Sequence, residues 1–185
     1  LIIIPAYNEE LNIENTINKL KKCKNSSKNQ FDYIIINDGS NDKTEQICKT
    51  NNYNVINLIY NLGIGGAVQT GYKYALENDY DIAIQFDGDG QHDEKYIENL
   101  VEEIKKGANF VIGSRFIESL SKFKSSGTRR LGIKVLSNLI KVCTGEKIYD
   151  PTSGFRAADK EVIKLFVKFI ILFIGIVYSL NIVLI

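Results

Sequence analysis

The sequence has few of the residues on which several common kinds of site depend. Its 185 residues include one histidine, three cysteines and two prolines, and neither tryptophan nor methionine. The single imidazole, His92, excludes a histidine-based catalytic triad and a zinc site built from several histidines. The cysteines Cys23, Cys48 and Cys143 are far apart, so none forms a close-spaced metal pair, and reduced thiols in a cytosolic compartment are expected.

The chain also lacks an excess of charge of either sign. Lys+Arg 23 and Asp+Glu 22 leave a formal net charge of +1, so no nucleic-acid partner is expected. A hydrophobic content of 44% is enough for one domain with a sizeable core. No basic segment precedes the first apolar run, so a secretory signal is not indicated, and the absent initiator methionine indicates that the first residues are missing.

Short apolar runs alternate with segments that have apolar residues at helical spacing. In the first such segment Leu11, Ile13, Ile17 and Leu20 form a stripe, and Asn8 is expected to cap the helix. Continuously apolar strands that alternate with helices predict an α/β fold, with a mostly parallel, Rossmann-like sheet flanked by helices on both faces. The predicted strands are "LIII" (1–4), "YIIIN" (33–37), "YNVINLIY" (53–60), "IAIQF" (82–86) and "FVIGS" (110–114).

Polar or glycine-rich segments follow each predicted strand. Ligands of such sheets bind at the carboxyl ends of the strands, so these segments are expected to meet at one rim. They are residues 5–9, 38–40, 61–66, 87–93 and 114–115.

The segment "QFDGDGQHD" (85–93) carries oxygen-bearing side chains at alternate positions, namely Asp87, Asp89, Gln91 and Asp93. Hard cations such as Mg²⁺ take oxygen ligands, and residues two apart can converge on one side of an extended turn. A solvated acidic loop or a helix cap is the alternative. The position of the segment at the predicted rim favours a metal site.

Two familiar motifs match this chain less well. An EF-hand loop starting at Asp87 would need glycine at its sixth position, where His92 stands, and a helix rather than a strand before it. The segment "GIGGAVQTG" (63–71) lacks the third glycine of a dinucleotide fingerprint, because Val68 occupies that position. It is expected to be a loop that passes close to a ligand or turns with positive φ, or else a tight turn into a helix.

All the arginines of the chain lie in its second half, whereas lysine is scattered throughout. The guanidinium group suits a bidentate grip on phosphate, so the set indicates an anion site. Ordinary surface positions are the alternative for any single one of them. The arginines are Arg115, Arg129, Arg130 and Arg156.

Seven segments together resemble a GT-A-fold family-2 glycosyltransferase of the dolichyl- or polyprenyl-phosphate mannosyltransferase-like branch, over residues 1–166. In order, they are "IPAYNEE", "INDGSND", "NLGIGGAVQTG", "FDGDGQHD", "GSRF", "RRLG" and "DPTSGFRA". The resemblance implies an inverting transfer of a sugar from a nucleotide sugar such as GDP-mannose or UDP-glucose, with Mg²⁺ or Mn²⁺ as cofactor. The implied acceptor is a polyprenyl phosphate lipid, at the cytoplasmic face of the membrane.

The resemblance also implies roles for residues at the first two strands. Pro5, Tyr7 and Glu9 would line the nucleotide pocket. Ile36 and Asp38 would hold the base and the ribose.

Further roles implied by the resemblance fall in the second half of the site. Asp87, Gly88 and Asp89 would be the DXD element that binds donor and metal, and Gln91 an additional metal ligand. Arg115, Arg129 and Arg130 would hold the acceptor phosphate, and the catalytic residues would be Asp87, Asp89 and Arg115.

The end of the chain departs from this family pattern. Residues 167–185 form an apolar tail that is expected to be either a membrane anchor or an altered terminus replacing the native end. The nearly all-apolar part of this tail, residues 169–185, has 17 residues, which at about 1.5 Å each would span about 26 Å, slightly less than a hydrocarbon core of about 30 Å. Residues 129–145 are expected to form an interfacial helix at the membrane surface or an ordinary half-buried helix.

Three other functions remain as alternatives. The chain could be a non-catalytic nucleotide-sugar-binding fragment, or a glycosyltransferase with a saccharide acceptor. A sugar-nucleotide nucleotidyltransferase is disfavoured, because no glycine-rich loop bearing lysine or arginine follows the first strand.

Overall fold

The computed structural model of the chain describes residues 1–87, 94–113 and 153–168, together with the main chain of 182–184. Its strands are β1 (Ile2–Ala6), β2 (Tyr33–Asn37), β3 (Val55–Asn57), β4 (Ile82–Gln85), β5 (Phe110–Ile112), β6 (Arg156–Asp159) and β7 (Ile182–Leu184). The helices in these ranges are α1 (Ile13–Ser26), α2 (Thr44–Thr50), α3 (Gly63–Glu77), α4 (Ile97–Lys105) and α5 (Lys160–Lys168), with a short 3₁₀ helix at Glu94–Tyr96.

The strands form one sheet in the order β3-β2-β1-β4-β6-β5-β7. β1 runs parallel to β2 and β4, β2 runs parallel to β3, and β5 runs parallel to β7. β6 lies between β4 and β5 and is antiparallel to both. The predicted mostly parallel α/β sheet is therefore confirmed.

Helices cover both faces of the sheet. On one face α1, α2 and α4 pack on the even-numbered residues of β1, with Leu20 and Leu100 fully buried there. On the other face α3 and α5 pack around Ile3, and Tyr72 and Val162 are buried beside it. β1 has buried apolar residues on both faces, as expected for an interior strand that helices cover on both sides.

The first helix begins later than the sequence indicated. Asn12 is its N-cap residue, and Leu11 is 88% exposed rather than part of the buried stripe. Asn8 has a φ of 56°, a left-handed conformation that asparagine tolerates, and its Oδ1 accepts a hydrogen bond from the Asn41 N–H. The chain turns at Asn8, so that residue cannot cap α1.

The glycine-rich segment is a tight turn that leads directly into a helix, which is the second of the two alternatives that the sequence left open. α3 begins at Gly63, and the positive φ of 76° at that residue marks the turn into the helix. A Cβ atom on Gly71 would overlap the side chain of Ile3. Glycine at this position therefore lets α3 approach β1 closely, although glycine is a weak helix former.

Two strands were not identified from the sequence. β6 lies in the "SGFRA" region, and β7 joins the sheet beside β5. α5 continues across the domain boundary predicted after residue 166. In the described ranges, no helix is both long enough and apolar enough to cross a bilayer. Residues 129–145 and 169–181, on which the membrane predictions depend, lie outside those ranges.

Candidate functional site

A cavity of about 500 Å³ opens at the carboxyl ends of β1, β2 and β4. This is the edge of the sheet at which the sequence predicted a ligand site. Five residues expected to bind the donor line it, namely Pro5, Tyr7, Glu9, Asp38 and Asp87. They come from three separate strand ends, and the fold brings them around one space.

The turn into α3 and the first residues of that helix form a further part of the cavity wall. Asn61, Gly63, Ile64 and Ala67 line it. The Asn61 Oδ1 accepts a 3.0 Å hydrogen bond from the Gly63 N–H, which closes the turn into the helix. The sequence placed residues 61–66 at this rim, but it gave no sign that Ala67, one helical turn further on, also faces the ligand space.

The loops after β1 and β2 are tied together by hydrogen bonds. The Asn8 N–H donates to the Ser40 Oγ at 2.9 Å, and the Asn41 N–H donates to the Asn8 Oδ1 at 2.9 Å. The Glu9 N–H donates to the Thr44 Oγ1 at 2.9 Å. These bonds fix the main chain beside Tyr7 and Glu9 before any ligand binds, so the site is preorganised on this side.

Asp42 organises the outer part of the same loop. Its carboxylate accepts hydrogen bonds from the Glu10 N–H at 3.0 Å, the Thr44 N–H at 2.9 Å and the Thr44 hydroxyl at 2.6 Å. Burial raises the pKa of Asp42, but these hydrogen bonds outweigh it and the net pKa is lowered. The ionised Asp42 carboxylate therefore stabilises the conformation of the loop.

Asp38 is nearly fully buried at the end of β2, where its N–H donates to the Ala6 carbonyl oxygen at 2.8 Å. Its Oδ1 accepts a 2.7 Å hydrogen bond from the Leu62 N–H. Gly39 follows with a φ of 66°, and a Cβ there would lie 2.9 Å from the Asn61 nitrogen. The end of β2 and the start of α3 are thus in close contact, and their hydrogen bond fixes Asp38, which lines the cavity.

Asp87 follows β4, and its carboxylate is held from two sides. The Gln85 Nε2 donates to the Asp87 Oδ1 at 3.1 Å. Gly154 lies so close that a Cβ there would overlap the Asp87 carboxylate. Neither neighbour was predicted as a site residue, although "SGFRA" had been noted as a motif.

The remaining predicted residues are placed differently. Ile36 is fully buried in the core beneath α3 and does not line the cavity, so any contact with a nucleotide would have to come from its main chain. The rest lie outside the described residues, and their roles stay predictions. They are Gly88, Asp89, Gln91, Arg115, Arg129 and Arg130.

The ligand set predicted from the sequence has the donor chemistry of a hard divalent cation, and the described ranges include one member of that set. The described ranges contain no group of three or more histidine, cysteine, aspartate or glutamate side chains able to hold a metal. Of the predicted ligands, the described ranges include Asp87, which lines the cavity. Two carboxylates and an amide oxygen, as predicted for Asp87, Asp89 and Gln91, are the donor chemistry that Mg²⁺ and Mn²⁺ take.

Comparison with known sequences identifies relatives over most of the chain. Residues 1–166 match the family described as Glycosyl transferase family 2. The chain is 36% identical, over 183 residues, to UDP-N-acetylglucosamine--dolichyl-phosphate N-acetylglucosaminyltransferase of Methanococcus voltae, which covers 89% of this chain and 70% of the relative. It is 30% identical, over 163 residues, to undecaprenyl-phosphate mannosyltransferase of Micrococcus luteus, which covers 85% and 65%. The chain spans about two thirds of the length of these relatives.

Solved structures share its architecture. Glucosyl-3-phosphoglycerate synthase from Mycobacterium tuberculosis, in complex with Mn²⁺, UDP-glucose and phosphoglyceric acid, matches with a TM-score of 0.70 at 19% identity, over 99% of this chain and 67% of that one. Mannosyl-3-phosphoglycerate synthase from Rubrobacter xylanophilus matches with a TM-score of 0.70 at 15% identity, over 99% and 64%. At these identities the similarity establishes the fold.

Proposed function

The chain belongs to glycosyl transferase family 2 and has the GT-A fold, and from this premise we propose that it transfers a sugar from a nucleotide sugar to a polyprenyl or dolichyl phosphate. The observation that carries the proposal is the cavity at the carboxyl edge of the sheet, which gathers the five donor residues named above. The names of the two relatives, which act on dolichyl phosphate and undecaprenyl phosphate, support the acceptor class.

The cavity is suited to the nucleotide part of the donor. Its volume of about 500 Å³ falls within the range of about 300–1,000 Å³ typical of small-molecule sites. Tyr7 is 46% exposed and offers a ring on which a base can stack. Asp38 is a buried carboxylate that can accept a hydrogen bond from a ribose hydroxyl. GDP-mannose and UDP-glucose are the donors proposed.

The cation site of the proposal consists of Asp87 with Asp89 and Gln91. A bound Mg²⁺ or Mn²⁺ would neutralise the negative charge that develops on the departing nucleoside diphosphate. Both Asp87 and Asp38 line the cavity. In this proposal Asp87 would present its carboxylate to the diphosphate, and Asp38 would lie beside the nucleoside. The presence of Mn²⁺ and UDP-glucose in a structure of the same fold supports this part of the proposal.

The acceptor would need little help from a protein base. A phosphate monoester has a second pKa of about 6, so the acceptor is largely ionised at neutral pH. One of its oxygens attacks the anomeric carbon, a new carbon–oxygen bond forms with inversion, and the bond to the nucleoside diphosphate breaks. Arg115, Arg129 and Arg130 would hold the acceptor phosphate. Residues 1–166 would form the catalytic domain, at the cytoplasmic face of the membrane.

Two measurements in sequence test this function. First, a panel of nucleotide sugars with Mn²⁺ is screened for an increase in the melting temperature of the chain, and GDP-mannose or UDP-glucose is expected to give the largest increase. Second, the radiolabelled form of the best donor is incubated with polyprenyl phosphate and with the matched polyprenyl alcohol. Label should enter the organic phase with the phosphate alone.

Other outcomes would replace the proposal by a specific alternative. Stabilisation by a donor without transfer to any acceptor would indicate a binding protein. Transfer to a saccharide instead of the lipid would change the acceptor class. Release of pyrophosphate from a nucleoside triphosphate and a sugar phosphate would indicate a nucleotidyltransferase.

A further inference from the structure

The proposed metal ligand Asp87 has two close neighbours to which neither the family nor the sequence motifs assign a part. We propose that Gln85 and Gly154 are positioning residues, which together fix the Asp87 carboxylate in the orientation that binds the cation. This inference rests on the proposed function. It adds to that function the means by which one metal ligand is held ready before the metal arrives.

Gln85 is the last residue of β4 and is 6% exposed. Residues two apart on an extended chain share a face, so the Gln85 and Asp87 side chains lie on the same side of the sheet. The Gln85 Nε2 donates to the Asp87 Oδ1 at 3.1 Å. The preceding residues Ala83 and Ile84 are apolar and buried. A buried amide in this strand is therefore the exception, and its hydrogen bond is directed at the carboxylate.

Gly154 closes the other side of the Asp87 carboxylate. A Cβ at Gly154 would lie within 2.6 Å of the Asp87 Cγ and Oδ1 and would overlap the Oδ2. A side chain of any size would thus displace the carboxylate or the turn that carries Gly154. The main chain at Gly154 lies so close to the Asp87 carboxylate that it restricts rotation of the Asp87 side chain. Only glycine permits this close approach.

The turn that carries Gly154 is itself held firmly. The Ser153 Oγ donates to the Gly113 carbonyl oxygen at 2.6 Å, and the Phe155 N–H donates to the Ser153 Oγ at 3.2 Å. The Arg156 Nε donates to the Ser153 carbonyl oxygen at 2.5 Å. Arg156 thus stabilises the turn. It is also the residue of β6 that lies opposite Gln85 of β4 in the antiparallel strand pair.

Aromatic packing joins this turn to the segment that carries Asp87. The rings of Phe86 and Phe155 meet edge to face, with centroids 5.8 Å apart. Phe86 directly precedes Asp87, and Phe155 directly follows Gly154. The segment with Asp87 and the turn with Gly154 are therefore each anchored by one ring of the same buried aromatic pair. This packing limits the movement of the carboxylate relative to the turn.

A matched pair of glutamine variants tests the inference on the full chain. Gln85→Met keeps the volume of the side chain and removes its donor. Gln69→Met makes the same change in α3, where the Gln69 Nε2 donates to the Phe166 and Val167 carbonyl oxygens of α5. Mn²⁺ dissociation constants are measured from the electron paramagnetic resonance of free Mn²⁺, with UDP and with GDP, and nucleotide affinity is measured without Mn²⁺.

The inference predicts a specific loss in metal binding. Gln85→Met should raise the Mn²⁺ dissociation constant on the order of tenfold, as is typical when a partner of a metal ligand is removed. Nucleotide affinity without Mn²⁺ should be unchanged, and Gln69→Met should bind Mn²⁺ like the parent chain. Gly154→Ala should raise the same constant by a similar factor.

Two results would overturn the inference, and they are distinguishable. If the parent chain binds Mn²⁺ and Gln85→Met binds it equally well, Gln85 does not position Asp87, while the proposed function stands. If the parent chain binds no Mn²⁺ with either nucleotide, the proposed function fails and this inference fails with it. Should Gly154→Ala not fold, the Gln85→Met and Gln69→Met comparison still decides.

Discussion

The Asp38 carboxylate accepts a 2.7 Å hydrogen bond from the Leu62 N–H, and this bond joins the end of β2 to the start of α3. Asp38→Ala would leave a main-chain donor without its acceptor, at a cost of about 1–3 kcal/mol in the free energy of unfolding. Asp38→Asn keeps an acceptor oxygen and should lose less. Urea unfolding of both variants measures the difference, and equal stability of the two would show that the bond contributes little.

Replacement of Gly65 and of Gly71 in α3 by alanine is expected to have opposite effects on the stability of the chain. A Cβ at Gly71 would overlap Ile3, so Gly71→Ala should destabilise the chain by about 1–3 kcal/mol as α3 is pushed from β1. A Cβ at Gly65 would have no neighbour within 4 Å, so Gly65→Ala should stabilise it by about 0.4–1 kcal/mol. Chemical denaturation of both variants checks this, and a stabilising Gly71→Ala would contradict the packing described.

Thr44 links the two loops beside the cavity, because its Oγ1 accepts from the Glu9 N–H and donates to Asp42. Thr44→Val keeps the shape of this fully buried side chain and removes both bonds. It should lower the free energy of unfolding by about 1–3 kcal/mol and weaken nucleotide binding. The matched change Thr50→Val, at an exposed position of the same helix, should do neither, and similar effects from both would refute a special role for Thr44.

The stability of the loop should depend on acid pH through Asp42. The pKa of Asp42 is lowered in the folded chain from its ordinary value of 3.8. A carboxyl with a lowered pKa stabilises the fold above its ordinary pKa, and that stabilisation is lost as the pH falls through the folded value. Asp42→Asn should therefore be less stable than the parent near neutral pH, and the difference should shrink below pH 3.8. Unfolding measured from neutral to acid pH tests this, and a constant difference would rule it out.

Much of the fold follows from local patterns in the sequence. α4 has a strong apolar stripe and ends at Lys105, and Gly107, with a φ of 106° and an N–H that donates to the Ile104 carbonyl oxygen, lies in the turn that follows the helix, a position typical of glycine. The buried runs at β1, β2 and β4 were equally clear. Elements with continuous apolar content or a marked helical period are determined largely by their own residues.

The remainder depends on contacts that are distant in sequence. β6 is a four-residue strand rich in alanine, and its place between β4 and β5 comes from pairing rather than from strand propensity. α3 includes glycines that disfavour a helix, and the packing of Ala67 and Tyr72 on the sheet overrides that tendency.

The site also has features that local sequence predicts and features that depend on contacts distant in sequence. The rim segments were predicted because the carboxyl ends of parallel strands meet, so the cavity around Asp38 and Asp87 lies where the sequence placed a ligand. The approach of Gly154 to Asp87 joins residues far apart in the chain, and no spacing rule links them. Ile36 was assigned to the nucleotide by resemblance, but in a strand covered on both faces its side chain is buried in the core.

The central claim is that a cation held by Asp87 drives transfer of a sugar to a lipid phosphate. Its most direct test is the rate of radiolabelled sugar transfer to polyprenyl phosphate as a function of Mn²⁺ concentration, for the parent chain and for Asp87→Asn. The asparagine keeps an acceptor for the Gln85 Nε2, so the variant should remain folded. The account predicts Mn²⁺-dependent transfer by the parent and a loss on the order of a hundredfold or more in the variant. Equal transfer by a folded Asp87→Asn, or undiminished transfer by the parent in excess EDTA, would contradict it.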